Sequence, residues 1–329
     1  IDIDEASILV IDYDLFALKD SSYITGEMVA YLSRCYSNCG LIVALNAYGR
    51  SPFDLTLKGH PESFADLNIG DTQIHNPGLW QEPWRGFRPW SWPLLPKALD
   101  SFYKRTDEVF KVLDTPILSF LDLKQFAGIL PRSVIEYIEA SGERKPEETT
   151  FREFVTNSQQ GLKPGDKVSD LSIARIAAAR IYKWLERLIL SGQDILVDAP
   201  HLVARFPSLL KGDLKMKSTW NQVVSLKLLD RSVMNTAIID SFRFSKANWV
   251  SRPCWFYGEL SSYEKVAEVK NPWSEIEKAD LVFCEDVSTF ADRSKAKEFV
   301  ANLPSPFARR YVLGNAEGVV YHPVSSFAK

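Results

Sequence analysis

The sequence predicts an α/β protein: an open, mainly parallel sheet flanked by helices, with a large inserted cap region rich in helices and aromatic residues. Three observations lead there. Short, continuous apolar runs end in polar or turn residues, stretches of helical periodicity separate them, and a proline- and aromatic-rich middle interrupts the alternation. With 329 residues and 46% apolar side chains, the chain can bury a core large enough for two domains or one large one.

The first run, Ile8-Leu-Val-Ile-Asp-Tyr-Asp14, has the unbroken apolar character of a strand buried on both faces. Thr25–Cys39 follows as a helix, with a Ser/Thr cap region before it, Met28, Val29, Leu32 and Tyr36 at helical spacing, and Gly40 as its stop. Leu41–Asn46 is the next strand, and one right-handed crossover joins the pair. Residues 53–130 are rich in proline and aromatics, and 141–170 are polar, with Gly161, Pro164 and Gly165 marking a loop. A helix over Leu171–Leu190 carries one apolar stripe of Ile173, Ile176, Ala177, Ile181, Trp184, Leu185 and Leu188. Strands then recur at Asp194–Asp198, Cys254–Tyr257 and Ala279–Cys284, with a helical stretch at Ser294–Val300. Arg310–Leu313 and Val319–Tyr321 read as two short strands about a glycine-bounded turn, Gly314–Gly318. The expected organisation is a core domain from residues 1–52 and 244–329, with 53–243 as an inserted cap or accessory region.

Composition excludes several classes. With 39 basic and 42 acidic residues the net charge is −3, so no overall basic field collects nucleic acid, which weighs against that partner but leaves a local basic groove open. No run of eighteen apolar residues occurs, and the opening IDIDEAS lacks a basic, apolar leader pattern, so no membrane partner is expected. Cys35, Cys39, Cys254 and Cys284 have neither CxxC nor zinc-ligand spacing, which predicts reduced, structural thiols in a cytoplasmic or other reducing intracellular compartment. Neither GxxxxGK[ST] nor GxGxxG occurs, so the phosphate-cradling loops of ATPases and dinucleotide-binding folds are missing.

The chemistry to weigh begins with Asp12-Tyr-Asp14, because open parallel sheets take ligands at the carboxyl ends of their strands. Two carboxylates at that spacing can share a divalent cation, or one can attack a phosphoryl group while the other transfers a proton. Glu285 and Asp286 follow the late strand, and if the two strand ends lie side by side Asp286 completes a Mg²⁺ site. The bland reading of both is turn formation and helix capping, by Ser288 or Asp292 in the second case.

Within the middle segment, Trp80, Trp84, Trp90 and Trp92 alternate with prolines, with Arg85 and Arg88 between them. Trp80, Trp84, Arg88 and Trp90 are candidates for a lid or partner surface, although aromatic packing that pins an irregular segment to the core is the favoured reading of the pattern. Asp198 and His201 form another acid–imidazole pair at a strand end, best read as turn and packing because no nucleophile motif accompanies them.

The order of the hhhhDxD strand, Leu41–Arg50, the late acidic strand end and Leu313–Gly318 resembles the haloacid dehalogenase-like phosphatases, in their sugar-phosphate branch. The resemblance covers residues 8–50 and 279–322. It implies a Mg²⁺-dependent phosphatase-like hydrolase acting on a small phosphoester such as a sugar phosphate, through an aspartyl-phosphate on Asp12 with Asp14 as general acid/base. It further implies Mg²⁺ held among Asp12, Asp14, Glu285 and Asp286, and phosphate contacts from Asn46, Arg50 and a lysine, Lys246, with Lys265 and Lys270 as competitors. Leu15-Phe16 stands where the family has Gly-Thr, and Asn46 where it has Thr or Ser. These departures keep two alternatives open: a catalytically inactive α/β scaffold or assembly subunit that binds a protein partner, and a PIN-like metal-dependent nuclease needing a fourth carboxylate such as Asp198.

Overall fold

In the computed structural model, the described residues are 3–13, 15, 24–46, 56–84, 86–140, 145–163, 165–224, 232–269, 280–300 and 309–313. They form an α/β arrangement whose strands fall into three sheets. Strands β1 (Ile8–Asp12), β2 (Leu41–Asn46) and β3 (Leu67–Gly70) make a parallel sheet in that order, with Ile8 opposite Leu41 and Val43 opposite Leu67. Strands β4 (Leu196–Asp198) and β5 (Cys254–Phe256) pair antiparallel. A four-stranded sheet joins β6 (Leu281–Cys284), β7 (Thr289–Asp292), β8 (Lys297–Val300) and β9 (Arg309–Val312) in the order β7-β6-β9-β8.

Helix α1 (Gly26–Tyr36) forms the crossover from β1 to β2, and Thr25 caps it by accepting from the Met28 N–H at 3.2 Å. Its roll differs from the simple apolar reading. Met28, Leu32 and Tyr36 are exposed at 42%, 43% and 52%, while Ala30, Tyr31, Arg34 and Cys35 face inward. Polar partners set this roll. Arg34 donates to the Gly40 carbonyl at 3.0 Å and pairs with Asp66, and the Tyr31 hydroxyl donates to Asp166 while accepting from the Lys163 N–H.

Helix α2 (Leu95–Phe110), helix α3 (Phe151–Asn157) and helix α4 (Asp170–Trp184) enclose the larger core. A π-helical turn, Leu185–Ile189, continues α4. One apolar cluster unites Tyr31, Val43 and Ile69 with Phe102, Phe154, Ala177, Trp184 and Phe256, and a second gathers Trp90, Val197, Phe206, Met234, Trp255 and Phe283. The β4–β5 ladder separates them: Leu196, Cys254 and Phe256 face the first cluster, Val197 and Trp255 the second, as the two-residue period of a strand requires.

Three expectations need correction. The later apolar runs do not extend one mainly parallel sheet: β4 pairs antiparallel with β5 in a sheet of their own, and β6 pairs antiparallel with β7 in another. Residues Ser294–Val300 do not form a helix; Arg293–Lys295 is a 3₁₀ turn and β8 follows, pairing antiparallel with β9. The segment after Cys284 is not a loop leading to that helix but the turn of a β6–β7 hairpin, with Ser288 at a positive φ of 50°. In these last two places a ladder to a neighbouring strand supplies hydrogen bonds that override local propensity. Gly314–Gly318 and Val319–Tyr321 lie outside the described residues.

Candidate functional site

The carboxyl edge of the parallel sheet carries Asp12, exposed at the end of β1, and Asn46, half-buried at the end of β2. Pairing continues one residue past β1, where the Tyr13 N–H donates to the Leu45 carbonyl at 2.9 Å. The start of α1 closes against this edge. A Cβ on Gly26 would stand 2.7 Å from Tyr13 Cα and 2.8 Å from the Asp12 carbonyl oxygen, so only glycine allows the helix so near. Asp14 and Arg50 lie outside the described residues.

Cations from α4 secure the opposite edge of the same sheet. Arg175 donates to the Cys39 carbonyl, Arg180 to the carbonyls of Glu62 and Ser63 at 2.7 Å, and Lys183 to those of Ala65 and Ser63 at 2.7 and 3.1 Å. Burial, with Arg180 and Arg187 nearby, holds the Lys183 ammonium pKa well below its ordinary value. These cations satisfy backbone acceptors, which makes their role one of positioning β2 and the approach to β3.

Glu285 and Asp286 belong to a different sheet from Asp12. Strand β6 pairs with β7 and β9, and β1 pairs with β2, so the expected side-by-side strand ends are not neighbours in a ladder. Glu285 is buried, pairs with Arg310 at 2.6 Å and lies 3.3 Å from His201 Nε2. Asp286 is fully buried and accepts from the Leu313 N–H at 3.0 Å. Among the described residues no group of three or more His, Cys, Asp or Glu side chains is placed to hold a metal ion. Asp12, Glu285 and Asp286 are therefore not gathered into one such group, and Asp14 lies outside the described residues.

What surrounds Glu285 is a chain of alternating buried charges: Glu186, Arg252, Asp198, His201, Glu285 and Arg310. Arg252 reaches Glu186 at 3.2 Å and Asp198 at 2.8 Å, and Asp198 meets His201 Nδ1 at 2.6 Å. Arg310 also donates to the Ser191 carbonyl at 2.7 Å. Burial opposes every charge in this chain, but the His201 and Arg252 charges hold the Asp198 carboxyl far below the ordinary carboxylate range. Against the same burial, Arg310 and His201 bring Glu285 down to about 2. Burial is the largest influence on His201 and pushes it down, but the Asp198 charge and the hydrogen bonds to Asp198 and Glu285 together outweigh burial and Arg310, so its net shift is upward. Asp198 also caps the helix over Ala199–Arg205, so the turn reading of the Asp198–His201 pair describes its local role. Fully buried and paired with Arg252, Asp198 is committed to the interior rather than offered as a fourth metal carboxylate.

The tryptophan-rich segment divides in two. Trp80 and Trp84 are exposed at 43% and 37%, whereas Trp90 and Trp92 are buried. Trp90 donates through Nε1 to Asp198 at 2.9 Å and through its backbone N–H to the Glu285 carbonyl at 2.8 Å. Ser288 adds a hydroxyl bond to the Arg88 carbonyl at 2.7 Å. The segment is thus pinned to the acidic turn itself. Lys246, expected on phosphate, instead lies 4.3 Å from the centre of the Phe120 ring.

Beside this segment lies a small cleft of about 30 Å³, between α2, the middle of the chain around Trp92, Tyr182 of α4, and Val250–Arg252. Arg88, Lys97, Arg105 and Arg252 line it, with Glu82 as its acidic member. The sequence offered no motif for it, since its residues come from four separated stretches; Lys97 and Arg105 look like ordinary helix-surface cations until α2 is packed on α4. Compared with known proteins, the chain matches no family model, no curated protein and no solved structure.

Proposed function

We propose that this chain is an α/β binding or assembly protein in which the late acidic motif serves the fold rather than a metal centre. One observation carries the proposal: Glu285 and Asp286 are buried and engaged internally, in a sheet that contains neither β1 nor β2. Turning Glu285 outward to a metal would strand Arg310 in the interior, and an uncompensated buried charge costs about 3–5 kcal/mol.

A second reading, phosphoester hydrolysis with Asp12 as nucleophile and Asp14 as acid/base, has a specific observation in its favour. Asp12 is exposed beside Asn46 at the carboxyl ends of adjacent parallel strands, where such sheets take ligands. The interpretation of residues 53–243 as a cap over those strand ends belongs to this reading. Hydrolysis of 4-nitrophenyl phosphate by the parent and Asp12→Asn, each with and without Mg²⁺, separates the two. Under our proposal all four rates equal the buffer blank. Mg²⁺-dependent turnover in the parent, lost in Asp12→Asn, would replace it with the hydrolase reading.

A further inference from the structure

The described residues bury eleven Lys and Arg side chains but only four Asp and Glu. Most of the eleven have clear internal partners: carbonyls for Arg175, Arg180 and Lys183, and carboxylates for Arg34, Arg205, Arg252 and Arg310. Arg105 and Lys58 differ. They sit against the same ring, with the Arg105 guanidinium carbon 3.8 Å and Lys58 Nζ 4.4 Å from the Tyr182 centroid. Neither forms an ion pair with a carboxylate among the described residues. Among the described residues Lys58 Nζ donates to the Tyr182 hydroxyl, at 3.4 Å. Arg105 donates Nη1 to the Asn248 carbonyl at 2.7 Å, and its Nε, like those of Arg34, Arg175 and Arg180, is buried without a hydrogen-bond partner among the described residues, so what sets it apart is the missing carboxylate together with its place on the cleft wall.

Arg105 is 2% exposed and lines the cleft. Burial lowers its pKa to about 10, a measure of how poorly its charge is solvated there. Of the other cations on the wall, Arg88 is offset by Glu82 at 3.2 Å and Arg252 by two carboxylates. Lys97, exposed at the rim one helical face away on α2, makes no ion pair among the described residues. The cleft therefore presents one deep and one peripheral cation without counter-charge. Ser101, one turn before Arg105 on α2, adds a hydroxyl to the same wall. A buried guanidinium with one carbonyl acceptor and no carboxylate partner keeps much of its desolvation cost, and an oxyanion supplies several further acceptor lone pairs at once.

We propose that the cleft binds a small phosphate-monoester-type dianion, seated between Arg105 and Lys97 without a metal ion. A single carboxylate would bring half the charge to a site with two unbalanced cations, and Arg's planar donors suit a tetrahedral oxyanion. The inference goes beyond the binding reading above and is independent of turnover at Asp12.

The test is calorimetric titration of the full chain, in EDTA, with phenyl phosphate and with benzoate as the monoanionic control. EDTA silences any Mg²⁺-dependent site, so this inference and the hydrolase question fail separately. Saturable binding of phenyl phosphate is expected, weakened at least tenfold in Arg105→Gln and at least threefold in Lys97→Gln, with benzoate binding at least tenfold more weakly. Circular dichroism checks the folding of both variants; should Arg105→Gln unfold, the exposed Lys97→Gln decides. No saturable binding by the parent, an unchanged Kd in folded variants, or benzoate binding as tightly as phenyl phosphate would overturn the proposal.

Discussion

Glu285 shows how a single side chain can carry the motif of one chemistry and the partners of another. An acidic pair after an apolar strand is what a metal centre needs, yet here the first carboxylate neutralises Arg310 and contacts His201 in a water-poor interior. Removing one member of such a pair exposes the other to the full desolvation cost. Glu285→Gln is expected to destabilise the protein by about 3–5 kcal/mol, measured by urea denaturation at pH 7. A loss below about 1 kcal/mol would mean that Arg310 finds another partner at little cost. Arg310, Arg252 and Glu186 had no signal in the sequence, because each is an ordinary charged residue until the fold brings it to Asp198, His201 or Glu285.

At the scale of an element, α1 separates what makes a helix from what orients it. Thr25, the apolar spacing and Gly40 after its end were all readable, and the helix forms over Gly26–Tyr36. Its roll was not readable, since of the apolar stripe Met28, Leu32 and Tyr36 are exposed, Val29 is partly buried, and the buried face includes Arg34 and Tyr31. Two variants measure this directly. Leu32→Lys is expected to change stability by less than about 0.5 kcal/mol, as surface substitutions do. Ala30→Leu, at a position 1% exposed, is expected to cost about 1–3 kcal/mol by overpacking. The reverse order in thermal or chemical denaturation would place the opposite face of α1 against the sheet. Strand β8 teaches the same lesson more strongly: a helical-looking pattern becomes a strand because β9 offers a ladder.

Across the whole molecule, the alternating charges from Glu186 to Arg310 tie α4's π-helical continuation, the β4–β5 ladder and the four-stranded sheet together. Their titration should shape the pH dependence of stability. Glu285 moves from 4.5 to about 2 on folding, so its contribution is fully present above pH 4.5 and is lost as pH falls towards 2. Asp198, shifted in the same direction from 3.8, adds to that loss on the acid side. His201 is raised above 6.5, so its contribution is fully present below pH 6.5 and declines as pH rises through its folded value. Stability followed by denaturation against pH is therefore expected to peak between about 4.5 and 6.5. His201→Asn should flatten the alkaline limb and also make the acid limb shallower, because it removes a charge that holds Asp198 and Glu285 down; an unaltered alkaline limb would assign that slope to another group.

The sequence alone determined the α/β class, the apolar runs that became β1, β2, β4, β5 and β6, the Ser/Thr cap region before α1 and the apolar stripe of α4. These depend on periodicity, capping and turn chemistry, interactions that span a few residues and are written in consecutive letters. Tertiary structure decided that β1 and β6 lie in separate sheets, that Trp90 is bound to Asp198 while Trp80 and Trp84 stay exposed, and that Arg105 is buried without a carboxylate. Strand partners and counter-charges are chosen among residues far apart in the chain, by which packing satisfies the most buried polar groups at once, and no local pattern encodes that competition.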